Sequence, residues 1–287
     1  MSGLTQSEVH ALFIAACRAE LDALKPGNVH VHAAGHGMEA EQFTASAEAA
    51  APWIAKASLR VGERILRAVE ASLAAAGCNT NLGIILLAAP LAAAAEKAEP
   101  RGLHDRLKDV LAALDDTDAA PVFAAIRRAN PGGLGSVKDQ DVASAPTAGL
   151  AEAMSLAADR DRIAQAYVTD FAEIFDFGLP RRARMRRQAA DQSIAVTTLH
   201  MAYLAAFADS HIARKFGASV AEEVRTAAHG LKSQWQPVAR TDTLENLMRF
   251  DSELKARQLN PGTTADFVVA TLFAADICDR LSPSKRL

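Results

Sequence analysis

The sequence predicts an all-α fold: a single compact multi-helix domain over residues 1–287, with apolar helices buried at its centre. Three observations carry this expectation. Half of the 287 residues are apolar with alanine dominant, while aromatic residues make up only 5%; alanine favours helix, whereas strands draw on β-branched and aromatic side chains. Apolar residues recur at helical spacing in many segments, as in Ile65, Leu66, Val69 and Leu73. The run Ile84-Ile85-Leu86-Leu87-Ala88-Ala89-Pro90-Leu91 and the alanines to Ala95 are apolar on every face, and a helix apolar all round is buried all round. A chain of this length can form one large core or two modest ones. No low-complexity linker divides it, so one domain is the economical expectation.

Composition also excludes function classes. The formal net charge is −3, so no global basic field points to nucleic acid. Cys17, Cys78 and Cys278 share no metal-like spacing and are too few for a disulfide framework. The uncharged apolar run Leu82–Ala95 is shorter than the ~20 residues a membrane span needs, and it contains Pro90. The N-terminal residues lack the basic-then-apolar pattern of a secretory signal. A cytoplasmic protein without membrane or nucleic-acid partners is expected.

Taken in order, Thr5-Gln6-Ser7-Glu8 reads as a capping box opening a first helix with Val9, Phe13 and Ala16 on its apolar stripe. Glu20 falls next on that stripe, where a carboxylate needs a partner unless the helix has rotated it into solvent. Pro26-Gly27 then breaks the helix, and the loop delivers Lys25, Asn28, His30, His32 and His36, side chains able to grip phosphate or move protons. No carboxylate or cysteine completes a zinc set around His30 and His32. Helical pattern resumes over 41–58, bent or divided at Pro52, and again over 61–76. On the latter, Glu63 and Glu70 share a side, and Glu70 lies at the margin of the buried face.

Asn79-Thr80-Asn81 stands directly before the buried run that begins at Leu82. Asn and Thr cap helix N-termini, and they can also leave donors and acceptors for a ligand where the unpaired N–H groups favour an anion. Two short helices follow, over 103–114 and 121–129, then Asn130-Pro131-Gly132-Gly133-Leu134-Gly135, whose glycines permit close approach of backbone to a ligand without matching a Walker or dinucleotide motif. Another helix is expected over 150–157, and Asp159-Arg160-Asp161-Arg162 opens the next. Arg181, Arg182, Arg184, Arg186 and Arg187 form the one charge run, read as solvated ahead of a subunit-facing or phosphate-clamping role. A continuous helix is expected over 188–216, with Arg214 and Lys215 in its last turn, then helices over 220–231 and 244–257. Asn260-Pro261-Gly262-Thr263-Thr264-Ala265-Asp266 repeats the device of polar residues before an apolar helix.

Together, Lys25-Pro26-Gly27-Asn28-Val29-His30, Asn79-Thr80-Asn81-Leu82-Gly83, Asn130-Pro131-Gly132-Gly133-Leu134-Gly135, Ala157-Ala158-Asp159-Arg160-Asp161, Ile212-Ala213-Arg214-Lys215 and Asn260-Pro261-Gly262-Thr263-Thr264-Ala265-Asp266 resemble, in order, the landmarks of the triphosphoribosyl-dephospho-CoA synthase family. The resemblance spans nearly the whole chain. It implies an all-helical enzyme that joins ATP to 3′-dephospho-CoA and releases adenine. Members serving citrate lyase carry His-Lys where this chain has Asn81-Leu82, and their Gly-x-His-x-Asp-Met element is reduced here to Gly35-His36-Gly37-Met38. The chain looks more like the shorter branch found in archaea and in bacteria with archaeal-type one-carbon carriers.

Ribosyl transfer of this kind needs a carboxylate near the ribose C1′, a general base for the acceptor hydroxyl, and an acid for the departing base. Glu20 and Glu70 are the expected catalytic or Mg²⁺-binding carboxylates, with Asp161 and Asp266 as further metal candidates and His30 as the acid or a phosphate ligand. Lys25, Arg214 and Lys215 are expected on phosphates, and Asn28, Asn79, Thr80, Asn81, Gly132, Gly133, Asn260 and Thr263 around the nucleotide. ATP and a small acceptor are the expected partners, and a homodimer is compatible with the sequence. Two other readings stand beside this one. An ATP-using enzyme of one-carbon carrier biosynthesis would yield ADP or AMP instead of adenine, and a non-catalytic helical scaffold would not bind Mg²⁺-ATP.

Overall fold

Thr5 begins the first helix as the sequence expects: its hydroxyl accepts the Glu8 N–H, and the Glu8 carboxylate accepts the Thr5 N–H at 2.9 Å. The computed structural model describes residues 3–131 and 149–282. Among these it has fifteen α-helices and no strand beyond two isolated antiparallel bridges in the loop after the first helix, His30 with Ala33 and Gly35 with Met38. The helices are α1 (Gln6–Leu21), α2 (Ala40–Ile54), α3 (Val61–Ala76), α4 (Leu82–Glu96), α5 (Leu103–Ala112), α6 (Asp116–Ala129), α7 (Leu150–Ala157) and α8 (Arg162–Val168). After a π-helical turn, Glu173–Gly178, come α9 (Leu179–Gln188), α10 (Gln192–Ala206), α11 (Ser210–Phe216), α12 (Ala218–Gly230), α13 (Lys232–Trp235), α14 (Leu244–Ala256) and α15 (Gly262–Leu281).

Two helices sit at the centre. From Ile84 to Leu91 every residue of α4 is buried, and on α15 the run Phe267 to Ala274 is buried without a break. The two pack on each other, with α1, α3 and α5 against α4, and α1, α9, α10 and α11 against α15. Both have a polar leading end that lies inside the protein: Asn81 before α4, and Asn260, Thr263 and Thr264 at the start of α15, are buried. No helix among the described residues is long and apolar enough to cross a membrane.

The structure departs from expectation at three joints. Pro52 lies inside α2, which ends two residues later at Ile54, short of the expected residue 58. The first of the two short middle helices stops at Ala112, and α6 starts at Asp116, ahead of the expected Pro121, because Asp115 caps it by accepting the Thr117 N–H. The continuous helix expected over 188–216 is two helices, α10 and α11, broken at Phe207-Ala208-Asp209. Asp209 causes the break: its carboxylate accepts the His211 and Ile212 N–H groups at 2.9 and 3.1 Å and so starts a new helix. On α9, Arg182 is buried beside Asp276 while Arg184, Arg186 and Arg187 face solvent. Three of the five arginines thus face outward, while Arg182 and, in part, Arg181 pack inward.

Candidate active site

Helix ends that are distant in sequence meet at one cavity of about 1040 Å³. The last turn of α1 contributes Glu20, and the turn after it contributes Asn28. The leading end of α4 contributes Asn79, Thr80 and Gly83; the leading end of α8, Asp159 and Asp161; α11, His211, Arg214 and Lys215; and the leading end of α15, Asn260, Thr263 and Asp266. Side chains of α6 and α7, among them Val122, Phe123, Ile126 and Met154, line an apolar part of the same hollow. Such a volume stands at the upper end of the roughly 300–1,000 Å³ usual for a small-molecule site, so there is room for more than a single small ligand.

Hydrogen bonds fix the polar residues. Asn79 Oδ1 accepts the Leu82 N–H at 3.2 Å and caps α4, while Thr80 is hydrogen-bonded to Ser46. Asn28 Nδ2 donates to Asn260 Oδ1 at 2.8 Å, which joins the turn after α1 to the leading end of α15. The Thr263 hydroxyl pairs with Ser210 at 3.0 Å. Asp209 reaches across as well, accepting the Thr264 N–H at 2.7 Å. The sequence reading missed Asp209 as an organiser because it ran one helix through it.

Lys25 lies behind the cavity, nearly fully buried, donating to Glu20 and, at 3.2 Å, to Asn28 Oδ1. Burial pushes the Glu20 carboxyl above its usual range and the Lys25 amine below its own, and each partner's charge opposes the other's shift. Lys25, expected on a phosphate, does not line the cavity; Glu20 and Asn28, to which it donates, do. Asp266 is different. Burial, then the negative charges of Asp209 and Glu20, raise its carboxyl well above the ordinary range. No hydrogen-bond donor among the described residues reaches it. Gly83 is the reason it fits: a Cβ there would fall 2.0 Å from Asp266 Oδ2. Burial, opposed by Asp209 and aided by Lys215 and Arg214, holds His211 down at about 4, so it is neutral beside the two cations.

Several expected site residues lie elsewhere. Glu70, expected as a catalytic or metal carboxylate, does not line the cavity; it is ion-paired with Arg67 on its own helix and with Arg128 on α6. His30, expected as an acid or phosphate ligand, is buried away from the cavity, with Nε2 3.5 Å from Asp251 Oδ2 and 3.3 Å from Lys255 Nζ. Asn81 is buried and accepts the Ser72 hydroxyl, with its Nδ2 unpaired. Asp161, expected as a metal ligand, lines the cavity but is already engaged: Oδ1 caps α8 through the Ile163 and Ala164 N–H groups, and Oδ2 pairs with Arg214. Gly132 and Gly133 lie outside the described residues. Among the described residues no group of three or more histidine, cysteine, aspartate or glutamate side chains could hold a metal ion unaided.

Nearly the whole chain is similar to one family of known proteins. The family model described as ATP:dephospho-CoA triphosphoribosyl transferase (CitG) matches residues 6–285. The chain belongs to that family. A solved structure described as a putative triphosphoribosyl-dephospho-CoA synthase from Archaeoglobus fulgidus superposes with a TM-score of 0.62 at 25% identity, over 80% of this chain and 96% of that one. A comparison with curated proteins finds no match. The chain is thus an all-helical transferase of the triphosphoribosyl-dephospho-CoA synthase type.

Proposed function

We propose that this chain transfers the 5-triphosphoribosyl group of ATP to a hydroxyl of 3′-dephospho-CoA, with release of adenine, inside the cavity between α1, α4, α8, α11 and α15. The observation that carries this reading is the meeting of Arg214 and Lys215 with Glu20 and Asp266 on the walls of one cavity. Membership of the family supplies the substrates.

Arg214 and Lys215 attract the triphosphate, and the side-chain N–H groups of Asn79 and Asn260 complete its contacts. The acceptor oxygen bonds to the ribose C1′ as the bond from C1′ to adenine breaks. The transition state carries positive charge on the sugar, which the Glu20 carboxylate stabilises. Glu20 also takes the acceptor's proton, since burial has already raised its affinity for one, and the departing adenine takes up a proton from solvent. Glu70 has no part in this scheme, and His30 acts at most through its neighbours.

A magnesium ion fits this cavity. Asp266 has no donor among the described residues and is crowded by the charges of Asp209, Glu20 and Asp161, an excess of negative charge that a cation relieves. Asp266 would hold Mg²⁺, with phosphate oxygens and water as its other ligands, as is usual for this ion. Bound there, Mg²⁺ would neutralise triphosphate charge.

Calorimetry with Mg²⁺-ATP tests the site. Binding that weakens at least tenfold in Arg214→Ala supports it. Absence of binding at millimolar nucleotide refutes it.

A further inference from the structure

Lys25 has only N–H groups to offer, so the Asn28 atom beside it must be the amide oxygen. The Asn28 nitrogen then faces Asn260, and the Asn260 atom it meets must be an oxygen too. This leaves the Asn260 NH₂ with no protein acceptor among the described residues, on a side chain that lines the cavity. The direction of both amides thus follows from Lys25. It holds whether the buried Lys25–Glu20 pair is ionic or has shared its proton, because Lys25 keeps N–H groups for Asn28 in either form.

The turn that carries Lys25 and Asn28 is itself gripped on several sides, from α14 and α10 outside the cavity and from His36, which lines it. Asp251, on α14 and 1% exposed, accepts the Gly27 N–H on Oδ1 at 2.9 Å. Its Oδ2 takes Lys255 Nζ at 3.0 Å and lies 3.5 Å from His30 Nε2. Lys255 in turn donates to the Ala33 carbonyl at 3.1 Å. Two histidines close the other sides: His36 Nε2 donates to the Gly27 carbonyl at 2.8 Å, and His200 Nε2 to the Pro26 carbonyl at 3.3 Å. Gly27 has φ +83°, and a Cβ there would meet Pro261 Cδ at 2.7 Å, so the turn is pressed directly against the segment that holds Asn260. Asp251 lines no part of the cavity.

We propose that Asp251 is a positioning residue: from α14 it fixes the Lys25–Asn28 turn, and through the Lys25–Asn28–Asn260 relay it keeps the Asn260 N–H groups turned toward the ligand's phosphates. The identity of those phosphates rests on the reading above; the relay itself does not. The site therefore presents Asn260 to acceptor atoms only, and it discriminates against ligands that would place a donor there.

The test uses the full chain. In Asp251→Ala the side-chain amide ¹⁵N–¹H pair of Asn260, assigned by its loss in Asn260→Ala, shifts or broadens. Mg²⁺-ATP binding weakens about tenfold in the otherwise wild-type chain and less than twofold in an Asn260→Ala background. Asp251→Asn, which keeps an oxygen for Gly27, recovers part of the affinity, and it carries the same measurements if Asp251→Ala does not fold. An unmoved Asn260 amide, or losses that simply multiply in the double variant, overturns the proposal. If the wild-type chain binds no Mg²⁺-ATP, the functional reading fails while the amide resonances still decide the relay.

Discussion

Asp209 Oδ2 accepts the Thr264 N–H at 2.7 Å while Oδ1 accepts the two N–H groups that open α11. A single buried carboxylate thereby fixes the leading ends of α11 and α15 relative to each other. Those two helix ends bring Arg214, Lys215, Asn260, Thr263 and Asp266 to the cavity. Asp209→Ala strands three backbone donors, at a cost of about 1–3 kcal/mol for each left unpaired in the interior. The expected outcome is a loss of at least ~2 kcal/mol in urea unfolding together with a loss of turnover. Unchanged stability would mean the link is dispensable.

Gly83 lets the first turn of α4 lie against the Asp266 carboxyl. Replacing a helical glycine by alanine ordinarily gains up to ~1 kcal/mol. Here the new methyl would sit 2.0 Å from Asp266 Oδ2 and 2.7 Å from Ile163 Cδ1, so overpacking of about 1–3 kcal/mol outweighs that gain. Gly83→Ala should lower the melting temperature and cut adenine release more than tenfold, since Asp266 must move. A melting temperature raised by the substitution, with full activity, would contradict the contact.

Glu20 and Glu70 separate two kinds of carboxylate. Glu20→Gln still offers an oxygen to Lys25 and should fold, yet turnover falls at least about a hundredfold, the usual scale for loss of a positioned base. Glu70→Gln breaks partly exposed ion pairs with Arg67 and Arg128, worth under about 1 kcal/mol after solvent screening. Its turnover should stay within twofold of wild type. Equal effects in the two variants would remove the distinction.

Asp266 gives a pH dependence whose sign follows from its raised carboxyl. Below the ordinary aspartate range both folded and unfolded chains hold the proton, and nothing changes. Above ~3.9 the unfolded chain loses it first. The folded protein then binds more protons than the unfolded one, so this group's contribution to stability falls as pH rises, until the folded carboxyl also ionises. Magnesium favours the ionised form. Binding of Mg²⁺-ATP within that window should therefore release a proton, seen as a dependence of the calorimetric heat on the buffer's ionisation enthalpy. Asp266→Asn should abolish it.

Much of this was legible in the residue pattern, and the misses have physical causes. A helix apolar on all sides, preceded by Asn79-Thr80-Asn81, could only place that polar end in the interior, and the same logic placed Asn260 and Thr263. Glu20 on an apolar stripe left open a buried partner or a turn into solvent; it is buried, and Lys25 is the partner. Glu70 was misread because a helical wheel gives the margin of a buried face without saying which helix covers it; α6 does, and brings Arg128. His30 turned inward toward Asp251, whose position in the middle of α14 carries no local signal of any role. The break at Asp209 was hidden by helix-forming residues on both sides.

The most direct test is the product of the reaction. The chain is incubated with Mg²⁺-ATP and 3′-dephospho-CoA, and the products are resolved by chromatography and mass spectrometry. Free adenine in equal amount to an adduct that retains all three phosphates on the transferred ribose is the predicted result. ADP or AMP with no adenine, or ATP left intact, would contradict it.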